Sequence, residues 1–545
     1  MNKVIGIVFG AFLLLTSAWV PSASACGGFF CQTLPIDQAG EQIVFRQEGD
    51  QISAMVQIQY VGDAPDFGWV VPVPNVPTFA LGNNQVFTQL ELATRPQFNL
   101  TRTGQECEVS FLAPSSTGTD GSAESDTSDG GVTVVSVEEV GSYVVTVIAG
   151  DDPQEVANWL QERNYQLSSR GAELLAPYIE EGMNFVAVRL QSGRDTGDIQ
   201  PLILNYQSDK PVVPIRLTAI AAVEDMGVIV WVVGDARAVP ENYLHVTPNY
   251  TRLNWYTGFS GNAYSSYQSL ITEAMNEAGG QGFATDYAGR FPNLVASLPS
   301  PSGLRNSVNQ LNALSDAEYI SGALQIFPGN LSVNSILNNT LPLTDGQTIA
   351  VYFDPLSLAV TFTAEQLSAA RAELDQFVRA DIIEAMENSI DLLDDNRYLT
   401  RLYTTLSSDE MTVDPAFVFN PDMGDQQLAR HATLDASCID NQTEWTLTLG
   451  AGTGRDDVVV IDALGAVPFS APVDLDQEAS WKIEVTSASG QPIVTNERPF
   501  QVASINGGGN SGGGNNITTG GGGSAGLSVL FLAAFASRLR RRRAE

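Results

Sequence analysis

Four cysteines, two histidines and a large excess of acids are the side chains with which this 545-residue chain could do chemistry. Cys26 and Cys31 bracket the stretch CGGFFC, Cys107 and Cys438 stand apart, and His245 and His431 show no paired-ligand spacing. Zinc needs four ligands at characteristic intervals, so no zinc site is predicted. Two literal G-x-S-x-G strings, residues 509–513 and 522–526, fall inside a glycine-rich run. A nucleophile elbow requires a strand before the serine and a helix after it, so both strings follow from composition alone. H-E-x-x-H, P-loop and EF-hand patterns are absent from the sequence. The acidic stretches DLLDDNR (391–397) and GRDD (454–457) lack metal-ligand spacing and read as a polar helix end and a turn. Trp69, Trp231 and Trp255 could line a carbohydrate or peptide groove, but tryptophans in apolar stretches are more often core.

Without a catalytic motif, a binding or structural module is favoured over an enzyme. The alternative is a secreted hydrolase of glycans or peptides whose carboxylates meet only in the fold. An enzyme should present a concave pocket with two or more carboxylates of raised pKa, and a binding module an exposed apolar or aromatic patch. No cofactor is implied; calcium suits the charge, yet no loop motif supports it.

The two ends of the chain address location. Lys3, the apolar run from Val4 to Leu15, Pro21 and the small residues Ala23, Ser24 and Ala25 predict a signal peptide over residues 1–25, removed by signal peptidase. Residues 506–524 form a glycine-rich linker, followed over 525–545 by the apolar run LSVLFLAAFA and by Arg538, Arg540, Arg541, Arg542 and Arg543. Ten residues at 1.5 Å each cover about 15 Å of a bilayer core about 30 Å thick, so the run makes a weak span. The arginines hold its end on the cytoplasmic side and place the body outside. This three-part tail resembles the GlyGly-CTERM sorting signal of Gram-negative bacteria. The resemblance implies a transient membrane anchor cut by a rhombosortase-like intramembrane protease near Gly520, Gly521, Gly522, Gly523 and Ser524. It further implies passage through the type II secretion machinery to the cell surface or medium.

The formal charge is −35; without the +1 of Lys3 and the +4 of the tail, the body carries −40 and only Lys210 and Lys482 as lysines. The charge disfavours nucleic acid and anionic lipid as partners, because both demand a positive surface. In an oxidising compartment four cysteines default to disulfides, with three possible connectivities. Ala23, three positions before Cys26, does not suit a lipoprotein signal, and acylation would leave an odd cysteine. Gly27 and Gly28 let the chain fold back, so Cys26–Cys31 is the expected bond and Cys107–Cys438 the long-range one.

The elements that position these residues read as α+β, with mixed and antiparallel sheets, a helical middle region and a β-rich C-terminal part. EQIVFR and ISAMVQIQY alternate as strands, and FGWVVPVPNVP (67–77), with Pro72, Pro74 and Pro77, reads as an edge strand or extended segment. An acidic low-complexity loop spans 113–131. VGSYVVTVIAG is a strand, PQEVANWLQERN and GAELLAPYIEEG are helices, and NFVAVRL, PLILNYQ, VPIRLTAI and MGVIVWVVG are four strands. From about 262 to 400 helices dominate, with Ser315/Glu318 and Thr363/Gln366 as capping boxes. Residues 433–505 return to strands, either a small subdomain or the closing strands of the main sheet. CGGFFC, FGWVVPVPNVP, the blocks from VGSYVVTVIAG to VWVVGDARAVPENY, and RLYTTLSSDEMTVDPAFVFNPDM (401–423) together resemble the DUF2330 family. The body 26–432 is therefore expected to share the fold of these exported bacterial proteins, a resemblance that implies no reaction and no site residue.

Overall fold

The computed structural model describes residues 38–58, 67–105, 133–163, 165, 169–191, 199–220, 222–250, 253–255, 263–290, 298–393, 397–440 and 442–453, and the backbone of three later strands. All belong to the compact unit Met1–Asn506. In chain order come β1 (Gln38–Glu48), β2 (Gln51–Ile58), β3 (Gly68–Val73), β4 (Thr78–Leu81), α1 (Asn84–Thr94) and β5 (Gln97–Gly104). The hairpin β6 (Thr133–Val140) and β7 (Tyr143–Ala149) precedes α2 (Pro153–Glu162), α3 (Ser169–Glu180), β8 (Asn184–Leu190), β9 (Leu202–Gln207) and the short turn α4 (Ile215–Thr218). Then follow β10 (Ala222–Gly234), β11 (Arg237–Pro240), β12 (Leu244–Pro248), α5 (Ala263–Glu277) and β13 (Gly282–Arg290). The helical region holds α6 (Pro301–Leu311), α7 (Asp316–Ile326), α8 (Leu331–Thr340), α9 (Ala350–Phe353), α10 (Pro355–Thr361), α11 (Ala364–Phe377), a π-helical stretch Val378–Glu384 and α12 (Ala385–Asp391). The strands β14 (Tyr398–Leu406), β15 (Phe417–Asn420), β16 (Ala429–Ile439), β17 (Gln442–Leu449), β18 (Val458–Ile461), β19 (Trp481–Val485) and β20 (Ile493–Asn496) complete the α+β architecture.

A ten-stranded mixed sheet, β20-β19-β12-β13-β14-β10-β1-β2-β9-β4, forms the central layer. Its middle strands read as continuous apolar runs because both faces are buried. In β10, Val228, Val230 and Val232 enter one core, whereas Ile229, Trp231 and Val233 enter the other. The first core is closed by the antiparallel sheet β3-β8-β7-β6, whose far face packs on α2 through Trp159 and Leu160 and on α3 through Leu175 and Tyr178. The second core is closed by α1, α5 and the sheet β18-β17-β16-β5. The helices from α6 to the π-helical stretch surround a separate apolar cluster.

The C-terminal strands join sheets begun much earlier in the chain. β16 pairs in parallel with β5, and β19 pairs with β12. Gly104 ends β5 at φ +81, and a Cβ there would stand 1.9 Å from the Ala436 carbonyl oxygen, so only glycine fits this approach. Both expected capping boxes form, at Ser315/Glu318 and Thr363/Gln366. β3 is the edge strand that its prolines require.

Two local expectations are corrected. VPIRLTAI forms the turn α4 in place of a strand: Pro214 supplies no ladder donor, and the Asp414 carboxylate accepts from the Arg216 backbone N–H at 3.0 Å. β13, GFATDYAGR, interrupts the expected helical region as a strand buried between β12 and β14. Its glycines and alanines carry no alternation from which a strand could be read, and neighbouring strands supply its burial on both sides.

Candidate ligand cavity

The register of β1, β2 and β9 sets one wall of a cavity. Ile43 faces Val56, Phe45 faces Ala54, Ala54 faces Leu204 and Ile52 faces Tyr206, so alternate side chains of three strands share a surface. Glu41 is in phase with Ile43 and Phe45 and lines the same surface. Trp69, Val71 and Val73 of β3, with Pro72 and Pro74, make the opposite wall. Tyr178 and Met183 close one end, and Ser208, Asp209, Lys210, Val212 and Pro214 with Asp414 form the remainder. The enclosed volume is about 260 Å³, room for about nine waters at roughly 30 Å³ each.

Of the three carboxyls on the lining, Asp209 is exposed at the rim, and Asp414 and Glu41 stand in different conditions. Asp414 is held on several sides: Tyr178 Oη donates to it at 2.9 Å, Arg216 Nε at 3.0 Å and the Arg216 backbone N–H at 3.0 Å. The Arg216 guanidinium also bonds Glu181 at 3.0 Å and lies 4.1 Å over the Tyr178 ring. Burial raises the Asp414 carboxyl above its ordinary value, and Arg216 opposes that rise. Glu41 is 8 % exposed, and its buried Oε2 has no hydrogen-bond partner. Burial, reinforced by the Asp414 charge, pushes its carboxyl from 4.5 to about 7. The Tyr178 hydroxyl is raised well above 10, chiefly by burial and next by the Asp414 charge.

Of the three tryptophans singled out, Trp69 alone lines the cavity. Trp231 is core, donating to Thr94 Oγ1 at 2.9 Å, and Trp255 is core, donating to the Tyr250 carbonyl at 2.8 Å. His245 is buried, with Nε2 at 3.2 Å from Thr285 Oγ1 and 3.4 Å from Arg237; burial, then Arg237, lower it to about 3, so its ring is neutral. His431 and Cys438 lie exposed on β16. Asp391 ends α12, and its carbonyl accepts from Arg46. Cys26, Cys31, Cys107, residues 394–396 and 454–457, the glycine linker and the arginine tail lie outside the described residues. Among the described residues no group of three or more His, Cys, Asp or Glu is arranged for a metal, and no helix is long and apolar enough to cross a membrane.

A second buried polar cluster belongs to the other core. Arg401 pairs with Asp286 at 3.2 Å and Glu91 at 2.5 Å, the Tyr267 hydroxyl donates to Asp286, and Arg430 bonds Tyr250 Oη at 3.1 Å. Exposed apolar side chains also occur: Ile349 before α9, Phe353 on α9, and Leu356 and Val360 on α10, with Val360 88 % exposed.

A sequence profile described as "uncharacterized protein conserved in bacteria (DUF2330)" matches residues 20–301, more than half of the chain. The chain belongs to the DUF2330 family. The DUF2330 match includes β1, β2, β3 and β9, hence both walls of the cavity, and ends before Asp414. No curated protein and no solved structure matches the chain. The sequence reading missed Glu41, Tyr178, Arg216 and Asp414. Glu41 had a signal: in EQIVFR a carboxylate falls in phase with Ile43 and Phe45, on a face that strand alternation assigns to the core.

Proposed function

We propose that this DUF2330 protein is a non-catalytic binding module that takes a small, mainly apolar molecule into the cavity between β3 and the β1–β2–β9 wall. The observation that carries the reading is a 260 Å³ space walled by apolar and aromatic side chains around one buried carboxyl oxygen without a partner. A secreted hydrolase has one observation in its favour, the raised pKa of two cavity carboxyls. General acid–base hydrolysis needs both groups available, and Asp414 is committed to Arg216 and Tyr178. Binding is therefore the better reading. Calorimetry with 2-phenylethanol tests it. Nine non-hydrogen atoms at ~0.5 kcal/mol each give a Kd of about 0.1–1 mM. Ala54→Phe, which fills the space, should abolish the heat, and unchanged binding by the variant would exclude this cavity.

The same reading places the protein outside a Gram-negative cell. The signal-type N-terminus, the glycine–apolar–arginine tail and the cysteine content support it. Signal peptidase, a rhombosortase-like protease and type II secretion are its processing partners, and the tail is a transient anchor. The β5–β16 register supports the Cys107–Cys438 bond. Ala436 pairs with Gly104, and the Gln105 N–H donates to the Ala436 carbonyl at 2.8 Å, so each cysteine follows two residues after a bonded partner. Intact mass and terminal mapping of protein from its host test these assignments; an uncut arginine tail would contradict the sorting signal.

A further inference from the structure

We propose that the molecule held in the cavity carries a cationic amine that binds the partnerless carboxyl oxygen of Glu41. The inference rests on the binding reading above and adds the chemistry of the ligand's polar end.

The charge inventory of the walls leads to it. Arg216, the cation behind the cavity end, is shared between Asp414 and Glu181. Lys210, at the rim, bonds Glu241 at 2.7 Å and lies 3.9 Å from Asp209. Both nearby cations thus already serve acids, and Glu41 remains as an acid with no cation. A ligand carboxylate would meet Glu41 with Asp414 beyond it, so anions are rejected. A neutral alcohol offers one donor and no compensating charge, whereas an ammonium offers three donors and the missing charge. Desolvation strengthens that pairing only when geometry supplies a direct contact, and Glu41 lines the cavity with no cation beside its carboxyl.

The groups facing Glu41 also set a pH dependence. Asp414, Tyr178 and Tyr206 bring no positive charge; Arg216 is tied to Asp414, and Lys210 and Asp209 sit at the rim. Burial keeps Glu41 protonated up to about pH 7, so amine uptake must expel that proton. Affinity for an amine should therefore rise between pH 6 and pH 8.

Calorimetry on the purified protein with 2-phenylethylamine, 2-phenylethanol and 3-phenylpropionate, at pH 6 and pH 8, separates the possibilities. The expected result at pH 8 is amine binding at least tenfold tighter than alcohol binding, a smaller preference at pH 6 and no binding of the acid. In Glu41→Gln the amine should fall to the affinity of the alcohol measured on the same variant. Equal binding of amine and alcohol by the unaltered protein would overturn the amine inference and leave the binding function standing. Failure of all three to bind would overturn both. A preference retained in Glu41→Gln, or tightest binding by the acid, would also overturn the inference.

Discussion

Replacing Glu41 with glutamine should make the protein more stable at high pH and leave it unchanged at low pH. The folded state raises this carboxyl from 4.5 to about 7, so between those values the native chain holds a proton that the unfolded chain has released. Stability therefore falls as pH rises through this window, is unaffected by Glu41 below 4.5 and has lost its full share above 7. At 1.36 kcal/mol per pH unit the loss is about 3 kcal/mol. With an unfolding entropy of about 2.1 cal/mol/K per residue over residues 26–506, that corresponds to about 3 °C in Tm. Glutamine keeps the shape and removes the titration, and every other carboxylate is common to both proteins. Thermal melts at pH 4.5 and pH 8 should give equal Tm values at the lower pH and a Tm about 3 °C higher for Glu41→Gln at the upper. The same Tm difference at both pH values would mean that Glu41 does not titrate between them.

Arg401→Met should destabilise the fold by about 3–5 kcal/mol, since it leaves the Asp286 charge buried without its guanidinium. Adding Asp286→Leu should recover much of that loss, and urea unfolding of the single and double variants checks it. Cys438→Ser should cost about 2–5 kcal/mol under oxidising conditions and nothing under reducing ones. Non-reducing peptide mapping should find Cys107 joined to Cys438, and a free Cys107 thiol would contradict that pairing.

Much of the element content was legible because it depends on local chemistry. The Ser315 and Thr363 capping boxes, the α2 face of Val156, Trp159 and Leu160, and the edge position of β3 follow from short-range patterns. What was illegible depends on distant partners. α4 turns because Asp414, 198 residues away, takes the Arg216 N–H. β13 is a strand because β12 and β14 flank it, although its own residues show no alternation. The cavity was hidden for the same reason. Its two walls are recognisable as strands, yet only the sheet stacking brings Trp69 and Phe45 to one cavity, and no spacing reveals that Asp414 is paired with Arg216 while Glu41 has no cation.

A crystal structure of the protein soaked in 2-phenylethylamine decides whether the space around Glu41 holds a ligand. The ring should lie between Trp69 and Phe45, with the nitrogen within 3.2 Å of a Glu41 carboxyl oxygen. An empty cavity at saturating ligand, or the amine bound only elsewhere on the surface, would contradict it.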